Sequence, residues 1–353
     1  MDFSFSEEQQ LLRYSVRRFL DQHYDFESRR KVAVSDSGWR REIWQALGSE
    51  LGILGLNVPA VSGGLGADAI TTMVVMEELG RSLVIEPYLD SALIAGQLLS
   101  RSGGAMAEEL LSKLLSGSAV PVLAWGEADI RNNPAQIAMT ATKVGGHWQL
   151  TGRKAVVNAA PWASHYLVCA RTAAKPGDTA GLSLFILDRN TKGLSLSAYP
   201  SIDGRRAGDI EFNKVIVAEA ALLGQLDSAH ELLTALRPTA IAALCAEAVG
   251  VLERLYQDTV EFSKQRRQFG QSISQFQVLQ HRMVDMYMQL EMARSASYLV
   301  SLSLSGDALE RELAASTAKV TIAKACRFIG QNAVQLHGGM GMTDDLAISH
   351  YFK

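Results

Sequence analysis

The spacing of apolar residues changes twice along this chain, and that order constrains the fold more than any other feature. Residues 1–119 carry apolar side chains at helical spacing. Residues 120–227 break into short alternating or wholly apolar runs between turn residues, which is typical of strands. Residues 228–353 return to helical spacing. The sequence therefore predicts a helical domain, a middle β domain and a helical bundle, in that order.

The first helix has both a start signal and an apolar face. Either Ser4 with Glu7 or Ser6 with Gln9 fits a capping box, in which each residue satisfies the backbone N–H of the other. Apolar residues then follow at helical spacing: Leu11, Leu12, Val16, Phe19 and Leu20. We expect a helix to begin directly after one of the two serines.

The middle domain reads as a compact antiparallel sheet or barrel. IAMTATKV alternates apolar and polar residues, and HWQLTGRKAVVNAA follows with a turn expected at Gly152. HYLVCART, GLSLFILD, LSLSAYP and DIEFNKVIV complete a set of short strands. Three long apolar-periodic segments then begin at Thr239, Phe276 and Leu309. Their short connections predict an antiparallel helix bundle.

Composition disfavours several classes of protein. The formal net charge is only -3, so charge alone points to no nucleic-acid or anionic-membrane partner. We expect no membrane span, since no apolar run reaches ~18 residues, and the amino terminus lacks the basic and apolar regions of a signal peptide. Cys169, Cys245 and Cys326 form no CxxC pair, so we expect free thiols in a cytoplasmic protein and no metal site.

Two segments of the bundle carry groups that suit the phosphates of a dinucleotide. The RRQFG motif places Arg266 near a helix end, where a guanidinium can donate two parallel hydrogen bonds to phosphate. The QLHGGMGMT segment contains Gly338 and Gly339, whose backbone amides a cofactor can approach closely. The alternatives are a solvated basic patch at Arg266 and Arg267, and a plain glycine cluster that ends a helix.

In order and spacing, these segments resemble the acyl-CoA dehydrogenase family over the whole chain. The matching stretches are FSFSEEQQLLRYSVRRFL, GRKAVVNAAPWASHYLVCAR, RRQFG followed by FQ, and QLHGGMGMT. The resemblance implies a mainly α fold with a central β domain: an N-terminal helical domain (1–119), a β-barrel-like middle domain (120–227) and an antiparallel helix bundle (228–353). It also implies FAD, an acyl-CoA substrate and an electron-transfer acceptor protein.

In this family two subunits share each FAD. By resemblance, the bundle residues that would contact the adenine and pyrophosphate half are Arg266, Gln268, Phe269, Phe276, Gln277, Gln335, Gly338 and Gly339. The middle-domain residues that would contact the flavin ring are Trp125, Gly126, Asn132, Val156 and Asn158. The resemblance therefore implies an oligomer, a dimer or tetramer, formed with like chains or with a second acyl-CoA dehydrogenase chain.

The flavin half departs from the family pattern. Gly126 and Asn158 stand where the family carries hydroxyl donors beside the ring. Val156 stands where the family has a large aromatic over the ring, and Trp125 lies nearby in sequence. These departures predict that a partner chain complements the flavin half of the site.

No catalytic base can be assigned from the sequence. The family's usual glutamate would come after the residue that matches Lys353, and its alternative position matches Ala240, which cannot act as a base. Glu247 lies about two helical turns later and is interpreted as structural. Asp344 and Asp345 are interpreted as residues that cap or solvate a turn.

The leading functional hypothesis is a subunit of a heteromeric, FAD-dependent acyl-CoA dehydrogenase that forms an α,β double bond. GGMGMTDDLAISHYFK and YDFESRR resemble the small subunits of two-chain enzymes of this family, pimeloyl-CoA dehydrogenase among them. Two alternatives stay open: a non-catalytic subunit that holds FAD, and an oxidase or monooxygenase on the same fold. A scaffold without a cofactor is disfavoured by the spacing of the flavin segments.

Overall fold

A computed structural model describes residues 5–353 and confirms the mainly helical fold around a central sheet. The helices are α1 (Glu7–His23), α2 (Phe26–Ala33), α3 (Arg41–Ser49), α4 (Ala69–Arg81), a π-helix (Tyr88–Ala95), α5 (Gly96–Ser102), α6 (Ala105–Leu115), α7 (Ala229–Gln265), α8 (Gln277–Ser303), α9 (Ala308–His337) and α10 (Ala347–Phe352).

The strands are β1 (Pro121–Ala124), β2 (Thr140–Val144), β3 (His147–Asn158), β4 (His165–Arg171), β5 (Leu182–Asp188), β6 (Leu194–Pro200), β7 (Arg206–Ala218) and β8 (Leu222–Leu223), followed by the short pair β9 (Arg267–Gln268) and β10 (Gln271–Ser272). Two compact units divide the chain. The bundle unit comprises residues 5–31, Asp68–Val84 and Pro238–Lys353, and the sheet unit comprises Val32–Ala67 and Ile85–Arg237.

Helix α1 begins at the second of the two predicted capping boxes. The backbone N–H of Gln9 donates to Ser6 Oγ at 3.2 Å, and the N–H of Ser6 donates to Gln9 Oε1 at 3.1 Å. Ser4, the alternative cap, lies outside the described residues. The reciprocal pair satisfies two backbone donors that a helix start would otherwise leave open.

In the bundle unit, helices α4 and α7 cross at two glycines. A Cβ added to Gly80 would lie 2.0 Å from the carbonyl oxygen of Glu247, and one added to Gly250 would lie 1.9 Å from that of Glu77. Both distances are far below any real carbon–oxygen contact, so the two backbones meet only because neither position carries a side chain. The rest of this core is an apolar seam among α7, α8 and α9, which includes Leu252, Met286 and Ile322.

Helix α7 starts earlier than the sequence predicts. The expected start at Thr239 is wrong because the helix begins at Ala229 and continues through Pro238. A proline inside a helix removes one backbone hydrogen bond and costs about 3 kcal/mol. The buried side chains of Leu233 and Leu236 supply apolar contacts that offset this cost. By length and composition α7 could cross a membrane, yet half of its most apolar window is buried, as in the core helix of a globular protein.

The sheet unit is built on one mixed sheet of eight strands in the order β6-β7-β3-β2-β4-β5-β8, with β1 beside β4. Strands β1 and β2 both pair in parallel with β4, so the expectation of a purely antiparallel sheet is wrong at these strands. Gly152 is not a turn either. It lies within β3 at a register shift, where an added Cβ would approach Met139 Cγ to 2.8 Å. The glycine therefore allows a bulge that lets β3 continue.

Candidate functional site

A cleft of about 450 Å³ in the sheet unit contains all five middle-domain residues that the sequence singled out: Trp125, Gly126, Asn132, Val156 and Asn158. Its walls come from the end of β3, the loop after β1 and the π-helix. Two further lining residues, Asp90 and Ile94, were missed by sequence reasoning because no local pattern brings the π-helix next to β3.

Val156 enters the cleft from a strained backbone. Its φ is 52°, an uncommon value for a β-branched residue, and it lies within the register shift between β3 and β7. Its backbone N–H donates to Asp209 Oδ1 at 2.9 Å, and the same carboxylate accepts from Tyr199 Oη and Arg153 Nη2. Backbone strain of this kind costs about 1–3 kcal/mol and persists only when neighbours enforce it. Asp209 provides that enforcement, and Val156 is left 67% exposed.

A buried ion pair fixes the loop that forms one wall of the cleft. Lys154 is fully buried, and its Nζ donates to the carbonyl of Trp125 at 3.1 Å and to Glu127 Oε1 at 2.7 Å. Glu127 also accepts from the backbone N–H groups of Ala138 and Met139 at 2.9 and 3.1 Å. Burial lowers the pKa of the Lys154 ammonium, whereas the Glu127 carboxylate opposes that shift. The pair therefore joins both ends of the loop to β3.

Arg171 fixes the same loop from the other side. This buried guanidinium donates to backbone carbonyls, including those of Ala135 at 2.7 Å, Ile137 at 2.9 Å and Ala180 at 2.9 Å. A buried guanidinium needs its donors satisfied, and carbonyl oxygens meet that need here. We infer a positioning role for this arginine in the cleft wall.

In the bundle unit, the RRQFG motif forms a tight hairpin between β9 and β10. Its two turn residues, Phe269 and Gly270, both have positive φ, at 54° and 82°. Phe269 is 92% exposed, and its ring lies edge-to-face with that of Phe276, with centroids 6.2 Å apart. Arg266 lies directly before the hairpin with an exposed side chain. The hairpin thus presents an arginine and an aromatic ring at the surface of the unit.

The second predicted segment follows the end of α9. Gly338 has a φ of 61°, which ends the helix and favours glycine. A Cβ added to Gly338 or Gly339 would meet no atom within 4 Å. The packing of this chain therefore does not require a glycine at Gly339. Open backbone of this kind fits a phosphate or another external group that approaches the main-chain amides.

Stacked rings bring the two bundle segments together. The rings of Phe262 and His337 stack with centroids 4.1 Å apart, one turn before Arg266 and directly before Gly338. His337 is buried with Nδ1 2.8 Å from the carbonyl of Ala333, and burial lowers its pKa. The other predicted side chains here, Gln268, Gln277 and Gln335, are exposed. The predicted site residues therefore lie in two groups, one in each unit.

The acidic residues that the sequence analysis interpreted as structural lie in structural contacts. Glu247 carries the backbone carbonyl that packs against Gly80, in keeping with a structural role. Asp344 pairs with Lys353 at 2.8 Å, and Asp345 pairs with Arg30 at 3.0 Å. Within residues 5–353, no cluster of three or more His, Cys, Asp or Glu side chains is arranged to hold a metal ion.

Family comparison covers nearly the whole chain. "Acyl-CoA dehydrogenase, N-terminal domain" matches residues 6–118, "Acyl-CoA dehydrogenase, middle domain" matches residues 123–215, and "Acyl-CoA dehydrogenase, C-terminal domain" matches residues 232–353. Among characterised relatives, mitochondrial isovaleryl-CoA dehydrogenase of Pongo abelii is 28% identical, over 99% of this chain and 84% of that protein. The subunit CarC of the caffeyl-CoA reductase-Etf complex of Acetobacterium woodii is 26% identical, over 99% of this chain and 93% of that protein.

Solved structures extend the similarity to three dimensions. The ChsE4-ChsE5 complex from Mycobacterium tuberculosis matches with a TM-score of 0.86 and 26% identity, over 100% of this chain and 92% of that one. The FAD complex of PigA matches with a TM-score of 0.90 and 25% identity, over 100% of this chain and 93% of that one.

Proposed function

The chain belongs to the acyl-CoA dehydrogenase family, and on that premise we propose that it builds part of an FAD site at which an acyl-CoA thioester gains an α,β double bond. The reaction removes a proton from the α carbon and a hydride from the β carbon. When bound, FAD supplies the acceptor for that hydride. The residues of this chain would hold and orient the cofactor and shape the acyl-CoA pocket.

The observation that carries this proposal is the cleft of the sheet unit. Five residues that come from two separate stretches of sequence line one space of about 450 Å³. That volume lies in the usual range of small-molecule sites. Two buried charges, Lys154 and Arg171, fix the loop that forms one wall of the cleft. A preorganised cofactor site requires this kind of support.

The hairpin and the α9 end of the bundle unit support FAD over FMN. FMN lacks the adenosine half, so it would leave Arg266, Gln335 and the open glycines Gly338 and Gly339 without a ligand. A guanidinium and free backbone amides are groups that bind a pyrophosphate. We therefore propose that these residues contact the pyrophosphate and adenosine of a cofactor shared between two chains.

We further propose that the partner is a second acyl-CoA dehydrogenase chain, in a dimer or tetramer. Phe269 is almost fully exposed at a hairpin tip, where a partner chain would bury it. Relatives form complexes, as the names ChsE4-ChsE5 and reductase-Etf state. An electron-transfer protein is the proposed acceptor, and the free thiols of the chain fit a cytoplasmic location.

The test is to purify the protein with any chain that accompanies it and to release its cofactor with acid. We expect FAD by chromatography, and acyl-CoA oxidation that proceeds with an artificial electron acceptor but not with oxygen. The assay is run in both directions because one relative is named a reductase. FMN as the only cofactor would contradict the FAD assignment. Rapid turnover with oxygen would instead favour an oxidase or monooxygenase.

A further inference from the structure

The π-helix places a carboxylate in the cleft. Residues Tyr88–Ala95 form π-type turns, which add a residue to a helical turn and often lie at functional sites. Within this segment, Asp90 and Ile94 line the cleft. Removal of the extra residue would rotate the side chains that follow it by about 100°, given 3.6 residues per α-helical turn. The π geometry therefore determines which side chains of this segment line the wall.

Asp90 contacts the last residue of β3. Asn158 Nδ2 donates to Asp90 Oδ1 at 3.3 Å, and both residues line the cleft. An ionised carboxylate can only accept hydrogen bonds, so the amide must turn its NH₂ group towards Asp90. This contact fixes the direction of the Asn158 carbonyl oxygen as well, because an amide presents the two groups on opposite sides.

The other acidic residue that lines the cleft already has partners for its carboxylate. Glu127 is held by Lys154 Nζ and by the two backbone N–H groups of Ala138 and Met139. Gly126 offers no side chain at all. Asp90 and Asn158 therefore form a polar side-chain pair on a wall whose other members include the apolar residues Ile94 and Val156.

We propose that Asp90 is a positioning residue that orients the Asn158 amide towards the flavin ring, and that this pair replaces the hydroxyl donors of other family members. The inference rests on the proposed function, since it needs a flavin in the cleft. Asn158 keeps its second N–H and its Oδ1 for the edge of the ring. The negative charge of Asp90 also disfavours added electron density on the nearby ring, so it lowers the reduction potential of the bound flavin.

The experiment uses the FAD-loaded protein, with its partner chain if one is required. Asp90→Asn keeps the shape of the side chain but removes its charge and its strict acceptor character. Asn158→Ala removes the amide, and the double variant completes a cycle. Asp129→Asn is the matched control, because it removes one exposed carboxylate from the same loop region without lining the cleft. The readouts are the flavin midpoint potential, the visible spectrum of the flavin and the dissociation constant of FAD.

We expect Asp90→Asn to raise the midpoint potential and to shift the visible spectrum, whereas Asp129→Asn does neither. Asn158→Ala should weaken FAD binding about tenfold, the usual effect of losing one hydrogen bond to a buried group. In the Asn158→Ala background, Asp90→Asn should have no further effect on FAD binding. Non-additive effects of this kind are the signature of a residue that acts through its neighbour.

Additive effects on FAD binding, or an unchanged potential and spectrum in Asp90→Asn, would overturn the inference while the wild type still binds FAD. A wild-type protein that binds no flavin would overturn the proposed function as well, so the two failures are distinguishable. If Asp90→Asn does not fold, Asn158→Val breaks the pair without altering the π-helix, since a valine side chain neither donates nor accepts hydrogen bonds. An unchanged visible spectrum and FAD affinity in that variant would refute the role of the pair.

Discussion

Several residues near the candidate site act on the backbone and not on a ligand. Lys154 and Arg171 each hold the loop after β1 by donating to its carbonyl oxygens, and Asp209 holds the strained Val156 by accepting its N–H. Each is charged, and charge-assisted hydrogen bonds are about twice as strong as neutral ones. Substitutions at these positions would therefore deform the cleft without removing any group that touches a ligand.

We predict that Arg266→Ala weakens FAD retention far more than Arg267→Ala. The loss of a charge-assisted contact with phosphate costs about 1.5–3 kcal/mol, or one to two decades in affinity. Arg267 already donates within the hairpin, from Nη2 to the carbonyl of Gly270 at 3.2 Å, and is exposed. The measurement is flavin per chain after gel filtration, with thermal unfolding as the control for folding. Equal flavin loss in both variants would mean that Arg266 is not the phosphate ligand.

Glu77 gives the bundle unit a pH dependence. Burial raises the pKa of its carboxyl to about 7 from a usual value of 4.5, although Arg13 opposes the shift. Between these pH values the folded state keeps a proton that the unfolded state has lost, so stability falls as the pH rises through this window. Above pH 7 the loss is complete. An ordinary salt-bridged carboxylate has a lowered pKa and makes stability rise with pH, so the pH dependence from Glu77 has the opposite sign.

We therefore predict that Glu77→Gln, whose side chain cannot titrate, reduces the loss of stability with rising pH. The free energy of unfolding of the wild type should drop relative to the variant by on the order of 2–3 kcal/mol between pH 4.5 and pH 8. Urea unfolding at several pH values measures it. Glu8→Gln, on the exposed side of α1, controls for the loss of a carboxylate. A difference that grows in the opposite direction would contradict the buried, protonated carboxyl.

At the scale of elements, the bundle unit has a close crossing of α4 and α7. Helix axes usually lie 8–10 Å apart, and the nearest approaches require small residues at the crossing. Here Gly80 of α4 and Gly250 of α7 each face a carbonyl oxygen of the other helix. The same stretch of α4 carries Glu77 and Glu78, which pair with Arg13 and Arg17 of α1. The crossing with α7 and the ion pairs with α1 therefore hold α4 to both helices.

We predict that Gly250→Ala destabilises the protein by about 3 kcal/mol or more, at the upper end of overpacking effects. The new Cβ would lie 1.9 Å from the carbonyl oxygen of Glu77, so two helix backbones must separate. The matched control is Gly96→Ala in α5, whose Cβ would come no nearer to another atom than 3.3 Å, the distance to Leu114 Cδ2. Thermal unfolding of both variants provides the comparison. A small effect at Gly250 equal to that at Gly96 would show that the crossing is not tight in solution.

At the scale of the whole molecule, the two candidate half-sites of the chain are unequal. In the bundle unit, the segments of the family pattern are present and presented at the surface. In the sheet unit, the cleft is formed, but Gly126, Val156 and Asn158 depart from the family residues. A site shared between chains allows one half to diverge while a partner supplies what that half lacks. This asymmetry is the reason to expect a heteromer.

We predict that the chain expressed alone holds substoichiometric FAD and shows little acyl-CoA turnover. With half of the contacts missing, the ordering of a large cofactor is not offset by binding. Co-expression with a second acyl-CoA dehydrogenase chain from the same source should restore about one FAD per pair of chains. Flavin absorbance per chain and turnover with an artificial acceptor measure this. Full occupancy and full activity in the lone chain would show that its own site is complete.

The sequence by itself determined the order of helices, sheet and bundle, and it limited the capping box of α1 to two alternatives, of which the structure forms the one at Ser6. Those features depend on short-range chemistry, since periodicity, caps and glycine-rich turns are read from neighbours in sequence. The bulge at Gly152 was misread as a turn, because only the partner strand β7 shows that β3 continues. The start of α7 was misplaced at Thr239 for a similar reason: burial outweighs the local cost of Pro238.

Only the tertiary structure decided how the cleft is built. Asp90 lies 68 residues before Asn158, and no local pattern predicts that a π-helix brings their side chains to 3.3 Å. The same holds for the buried contact of Lys154 with Glu127, whose role depends on burial that follows from the packing of the whole unit. Long-range contacts, desolvation and backbone strain are properties of the folded chain, and sequence patterns carry little information about them.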